Sequence, residues 1–250
     1  MSAPSSPLRL VGRDVLFVHW PVPVDAVREV VPGALTVDTV EGSAWLSVLA
    51  HEVGGTTLGP VPVSNPFAQV NFRTYVRFDG DQGVYFLSLD AGNRAAAGAG
   101  RRLFGLPFSP ARGSVRRRDG GTVVLRSRRT ARGQPQARFD ARYRPTSGPT
   151  TVDPDSTTGR LVERHRYFLA GEDAPGPARA VAGAGRDGTD VLVGEVTRDP
   201  WRLAPVDATV RTNTLFDAAG LDVPDTEPTV EYSPGYESSV VGVESVPSRG

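Results

Sequence analysis

The chain has 250 residues with 28 Arg, no Lys, 28 acidic residues, three His and no Cys, for a formal net charge of zero. Without Cys there is no disulfide framework, no thiolate nucleophile and no Cys-held zinc or iron–sulfur cluster. Without Lys there is no Schiff base and no P-loop, and zero net charge gives no global pull toward nucleic acid or anionic lipid.

No apolar run reaches the length of a membrane span. The first seven residues lack the basic start and apolar core of a signal peptide, so a cytoplasmic protein is the expectation. His19, His51 and His165 share no metal-binding spacing, and neither metal nor cofactor is expected. The 28 Gly and 22 Pro foretell many turns and short strands.

In chain order, residues 1–9 read as a flexible tail. A strand follows over Asp14–Trp20, then a short helix from Val24 to Val31 that Pro32-Gly33 stops. Leu35–Leu49 alternates about Glu41-Gly42 as a hairpin, and Gly54–Pro66 reads as a loop. Gln69–Phe78 is the clearest strand. Val70, Phe72, Thr74, Val76 and Phe78 line one face, and Gln69, Asn71, Arg73, Tyr75 and Arg77 the other. Val84–Asp90 should pair with it, and Arg94–Leu103 should form a helix ended by Gly105 and Pro107.

Gly113–Arg118 and Thr122–Arg128 read as hairpin arms meeting at Asp119-Gly120-Gly121, and Gln136–Arg144 as a strand. Leu161–Leu169 reads as a helix running into a strand. Residues 171–190, rich in Gly, Ala and Pro, read as a flexible loop insertion. Strands are expected at Val191–Val196, Ala204–Val210, Thr229–Tyr232 and Val240–Val246, a short helix at Thr214–Ala219, and a flexible tail over 247–250. The sum is one mainly β (α+β) domain over residues 10–246, a closed or nearly closed antiparallel barrel with a few short helices.

The polar face Gln69-Asn71-Arg73-Tyr75 admits two readings, solvent-exposed sheet or barrel lumen. In a lumen, a row of donors needs a ligand or other partner, and Arg73 would clamp a carboxylate bidentately. Arg101 is either a ligand contact or a helix-dipole partner. Asp90 either orients Arg73 or Arg94 or caps the next helix. His19 and Glu163 are candidate acid–base groups, each with a structural alternative. Between Arg112 and Arg138 there are nine Arg and one acid, Asp119. With no aromatic in the hairpin on which a base could stack, the expectation is a solvated hairpin rather than a nucleic-acid partner.

Several segments carry a resemblance. They include His19-Trp20-Pro21-Val22-Pro23, Asn71-Phe72-Arg73-Thr74-Tyr75-Val76, Phe86-Leu87-Ser88-Leu89-Asp90-Ala91 and Arg101-Arg102-Leu103-Phe104-Gly105-Leu106-Pro107-Phe108. Ala141-Arg142-Tyr143-Arg144-Pro145, Glu163-Arg164 with Tyr167, Gly194-Glu195 with Pro200-Trp201, and Thr212-Asn213-Thr214-Leu215 continue it in order. Together they resemble the YqjF-like family of unknown function, which is distantly similar to the acetoacetate decarboxylase-like superfamily. The resemblance implies that superfamily's antiparallel β-barrel around a pocket, and homo-oligomers such as its members form.

It also implies where decarboxylase chemistry would sit. Gly100-Arg101-Arg102-Leu103 matches the end of the decarboxylase helix, but Phe108 and Ser109 stand where its two Lys should be. Its upstream Glu falls near Gln69. Schiff-base decarboxylation is therefore unavailable. Two expectations follow. The first is a binding protein holding a small anionic or carbonyl-bearing molecule, with Gln69, Asn71, Arg73, Tyr75, Arg101 and Phe108 as contacts. The second is a non-covalent acid–base enzyme of dehydratase, tautomerase or hydrolase type, using Glu163, Asp90 or His19.

Overall fold

The structure, a computed structural model, describes residues 8–58, 61–171, 176–183 and 190–247. It runs β1 (Leu8–Val22), α1 (Val24–Arg28), β2 (Thr36–Val37), β3 (Ala44–Leu58), β4 (Val61–Ser64), β5 (Phe67–Phe78), β6 (Asp81–Ala91) and α2 (Arg94–Phe104). Then come β7 (Phe108–Arg118), β8 (Thr122–Arg129), β9 (Arg138–Pro145), β10 (Thr150–Thr151), α3 (Thr157–Val162), β11 (Arg166–Ala170) and α4 (Gly176–Ala182). The chain ends with β12 (Asp190–Arg198), β13 (Arg202–Leu203), β14 (Val206–Asn213), α5 (Leu215–Ala218) and β15 (Thr229–Pro247). No helix among the described residues is long and apolar enough to cross a membrane.

Local chemistry explains the turns. Glu41-Gly42 and Asp79-Gly80 hold φ of +54°, +78° and +50°, +87°, the left-handed pair that a two-residue hairpin turn requires. Helix α2 starts on Asn93, whose side chain accepts the Ala96 N–H at 3.0 Å, and stops at Gly105 with φ +70°.

The pairings run β5–β6–β11–β12–β15–β1–β3 and return to β5, forming a ring of seven strands. A single parallel pair, Tyr167 with Val84, makes the β11–β6 link, so the barrel is nearly closed. From β6 the sheet branches into β7–β8–β9–β14. That branch folds over the outside of β1, β3 and β5, and a large core fills the space between. Leu16, Val18, Leu46, Val48, Val70 and Phe72 face Val123, Leu125, Phe139, Ala141 and Tyr143 there. Phe216 of α5 plugs one side, edge-on to Trp20 and Phe72 at 5.1 and 5.0 Å, contacts worth about 0.5–1.5 kcal/mol each beyond burial.

Several expectations are corrected. Gly54–Pro66 is not a loop throughout. β3 continues to Leu58 because its backbone bonds reach β1 as far as Leu8, and β4 follows as an edge strand that tolerates Pro62. The two C-terminal strands are one, β15, which passes through Pro234-Gly235 while held between β1 and β12. Within 171–190, read as loop, α4 forms and buries Ala178; residues 172–175 and 184–189 lie outside the described ones. Of the tail 1–9, Leu8 and Arg9 belong to β1, paired with Val240 and Ser239, and residues 1–7 and 248–250 lie outside the description.

Candidate functional site

Strand alternation decides what faces the barrel interior. With the even-numbered apolar residues of β1, β3 and β5 in the outer core, the odd-numbered set turns inward. Phe17 and His19 come from β1, Ser47, Leu49 and His51 from β3, and Gln69, Asn71, Arg73 and Tyr75 from β5. The register sets His19 opposite Ser47, Ser47 opposite Arg73, Leu49 opposite Asn71 and His51 opposite Gln69. Gln69, Asn71, Arg73 and Tyr75 are all buried, so the lumen reading of this face holds and the solvent reading does not. Arg77, one step further along, emerges to solvent and pairs with Asp38 at 2.7 Å.

Arg73 is the unusual member. Its exposure is 8%, and its Nε and Nη2 have no hydrogen-bond partner. Among the described residues no carboxylate lies within 4.0 Å of it. Its guanidinium instead lies over the Tyr75 ring, 5.7 Å from the centroid, with Arg164 at 5.5 Å from the same ring. Arg164 forms an ion pair with Asp38 at 2.8 Å, a carboxylate it shares with Arg77.

A polar chain lies beside Arg73. His19 Nδ1 is 2.6 Å from Ser47 Oγ, which is 2.8 Å from Tyr75 OH. On the other edge of the imidazole, Nε2 faces Glu231 Oε2 at 3.6 Å, and both atoms are buried without a hydrogen bond. Glu231 Oε1 accepts from Thr158 Oγ1 at 2.7 Å. Burial first, and the Arg73 charge second, hold His19 down at about 3. Burial likewise holds His51 at about 3, with Arg73 again contributing. Burial pushes the Glu231 carboxyl up. At neutral pH both imidazoles are therefore uncharged, and Arg73 is a fixed cation with no ionised partner beside it.

The wall opposite is aromatic. Trp201 packs edge-on to Phe17 at 4.9 Å and Tyr236 at 5.1 Å, and Tyr236 OH lies 3.2 Å from His51 Nε2. Burial pushes the Tyr236 hydroxyl up to about 12. Gln69 Nε2 donates to Asn71 Oδ1 at 2.8 Å, which orients both amides.

Other candidates are committed elsewhere. Asp90 orients neither Arg73 nor Arg94; it forms a two-point ion pair with Arg129 at 2.7 and 3.0 Å. Burial still leaves its carboxyl raised, with Arg129 offsetting only part of that. Glu163 caps the Trp201 N–H at 2.6 Å and pairs with Arg198 at 2.8 Å. Arg101 is exposed on α2, outside the lumen. Phe108 pairs with Leu89, the neighbour of Asn71, and fills the space under Gly100, where an added Cβ would meet its ring at 2.5 Å. Ser109 Oγ donates to Gln134 Oε1 at 2.5 Å. Among the described residues no three His, Asp or Glu converge to hold a metal.

Ser47, His51, Glu231 and Tyr236 were missed by sequence reasoning. Ser47 and His51 were within reach, because they continue the Trp45–Leu49 alternation on the inward side. Glu231 and Tyr236 were not, since nothing local ties β15 to β1.

Comparison with known proteins agrees with this architecture. The model of the DUF2071 family, uncharacterized conserved proteins, matches residues 11–237. The chain belongs to this family. It is 32% identical over 229 residues to the uncharacterized protein YqjF of Bacillus subtilis (strain 168), covering 90% of this chain and 87% of that one. Among solved structures it resembles the enduracididine biosynthesis enzyme MppR complexed with pyruvate. There the TM-score is 0.65 and the identity 16%, over 99% of this chain and 93% of that one. It also resembles acetoacetate decarboxylase from Legionella pneumophila, with TM-score 0.64 and 14% identity, over 98% of this chain and 92% of that one. The fold is thus acetoacetate decarboxylase-like, mainly β with few helices.

Proposed function

We propose that this DUF2071 member binds a small carboxylate, of the 2-oxo or 2-hydroxy acid class, inside the barrel, with Arg73 as the anion clamp. The observation that carries the reading is the unpartnered Nε and Nη2 of a guanidinium that is more than nine-tenths buried. Those two nitrogens form the edge of the group that grips both oxygens of a carboxylate. A lone buried cation is costly, and a bound anion removes that cost. The similar fold of MppR, whose structure holds pyruvate, supports the size class. Lysine is absent from the chain, so the reading includes no Schiff-base step.

Thermal-shift titration of the folded protein with pyruvate, lactate and acetoacetate tests it. Free ligand at about 100 times its Kd stabilises by about 2.7 kcal/mol. Arg73→Ala, folded as judged by circular dichroism, should lose that shift. A shift equal in both proteins, or none with any acid in either, overturns the reading.

A second reading, non-covalent acid–base catalysis on the same bound acid, is favoured by the His19–Ser47–Tyr75 chain with Glu231 at its far edge. A carboxyl pushed up by burial, here Glu231, suits proton abstraction beside a carbonyl, with the uncharged imidazole of His19 next to it as a hydrogen-bonding group. Exchange of the methyl protons of pyruvate in D2O, followed by NMR, would be accelerated by the wild type and lost in His19→Gln. Binding without exchange leaves the first reading alone.

A further inference from the structure

Sheet alternation sorts the arginines of 112–138 in a way their sequence does not reveal. Arg117 and Arg129 turn toward the barrel. Arg117 meets Asp14 at 2.5 Å and Glu52 at 3.1 Å, and Arg129 meets Asp90. The alternate residues point the other way, away from the core. Arg112, Arg116 and Arg118 on β7 and Arg126 and Arg128 on β8 are all exposed. The neighbouring strands extend the same face with Arg138, Arg142 and Arg144 on β9 and Arg211 on β14, also exposed.

The register shows how poorly this face is balanced. Arg112 lies opposite Arg128, and Arg128 opposite Arg138, a row of three like charges across three strands. Like charges placed directly opposite destabilise a sheet, so folding gives no reason for the row. Asp140, opposite Arg126, and Asp207, opposite Arg144, are the acids that face them. Among the described residues none of these arginines has a carboxylate within 4.0 Å. Arg166, elsewhere on the surface, does, with Asp81 and Glu195, while Arg101, Arg102, Arg160 and Arg202 are unpaired but scattered rather than aligned across neighbouring strands. Arg118, Arg126, Arg142 and Arg211 share one shallow hollow of about 460 Å³.

We propose that this face of β7–β8–β9–β14 binds duplex nucleic acid through its phosphate backbone, without reading bases. Outward side chains repeat every 6.5–7 Å or so along a strand and about 4.8 Å between strands. An array that regular suits a polymer with phosphates at fixed intervals. The aromatic residues of β9, Phe139 and Tyr143, point into the core, so they offer no stacking platform to a single strand. Among the described residues of this face no large apolar side chain is placed to enter a bilayer. The face is separate from the interior site, and neither proposal depends on the other.

The test is fluorescence anisotropy of a short labelled DNA duplex of arbitrary sequence at rising NaCl. Affinity should fall about 10³-fold or more between ~50 and ~200 mM salt, as for six or more neutralised phosphates. Arg128→Gln and Arg142→Gln should each flatten the slope of log K against log salt by about 1. Arg160→Gln, on the surface of α3, should leave it unchanged. No binding at ~50 mM overturns the proposal, as does a slope indifferent to Arg128 and Arg142. Vesicles of phosphatidylserine and phosphatidylcholine that bind where the duplex does not would overturn it in favour of a lipid surface.

Discussion

Two adjacent arginines, Arg128 and Arg129, sit on one strand and live in different media. Arg129 is 5% exposed and locked to Asp90, while Arg128 stands in water beside other guanidinium groups. Arg73 is a third case, buried like Arg129 but unpaired like Arg128. The comparison teaches that burial makes a partner necessary, which Asp90 supplies to Arg129 and which the proposed anion would supply to Arg73. A buried charge cannot be left to solvent, and an exposed one loses little by standing alone.

The sharpest way to break that comparison is Arg129→Ala. It strands Asp90 in the core and should cost about 3–5 kcal/mol in chemical denaturation. Asp90→Asn should cost less, because the amide keeps one contact with the guanidinium. Next in size is acid sensitivity. His19 and His51 are held at about 3 when folded and return to 6.5 when unfolded. The unfolded chain therefore binds more protons, and stability contributed by these groups is lost as pH falls from 6.5 toward 3. Folded His19→Gln should show a shallower loss over that window than the wild type. An identical slope would mean that His19 takes up its proton in the fold at the same pH as in the unfolded chain.

Gly100→Ala isolates the packing of Phe108. Gly→Ala inside a helix ordinarily stabilises by about 0.5–1 kcal/mol. Here the new methyl meets the ring, and a net loss of about 1–3 kcal/mol is expected. Arg73→Met, without ligand, should raise stability by about 1 kcal/mol or more, because it removes an unpaired buried charge. The same change at position 129 should do the reverse. Smallest of all, Arg128→Ala should alter stability by less than about 0.5 kcal/mol. A larger loss there would mean that the outward row is structural.

Much of the local structure is legible in the sequence alone. The period-2 pattern of β5, the hairpin at Asp119-Gly120-Gly121 and the caps of α2 depend on residues a few positions apart. Asp90 and Glu163 mislead because a carboxylate near a basic run has many eligible partners, and only packing selects Arg129 for one and Arg198 for the other. Helix α4 misleads because Ala and Gly offer no amphipathic signal, although Ala178 is buried.

By itself the sequence excluded lysine and cysteine chemistry, set the strand periodicity and placed Arg73 on the polar face of β5. Only the tertiary structure decided that this face is interior, that Glu231 comes within 3.6 Å of His19 from the far end of the chain, and that the arginines of the hairpin divide between two faces. The reason is physical. Alternation fixes which residues share a side, but which side meets solvent depends on what the rest of the chain packs against it.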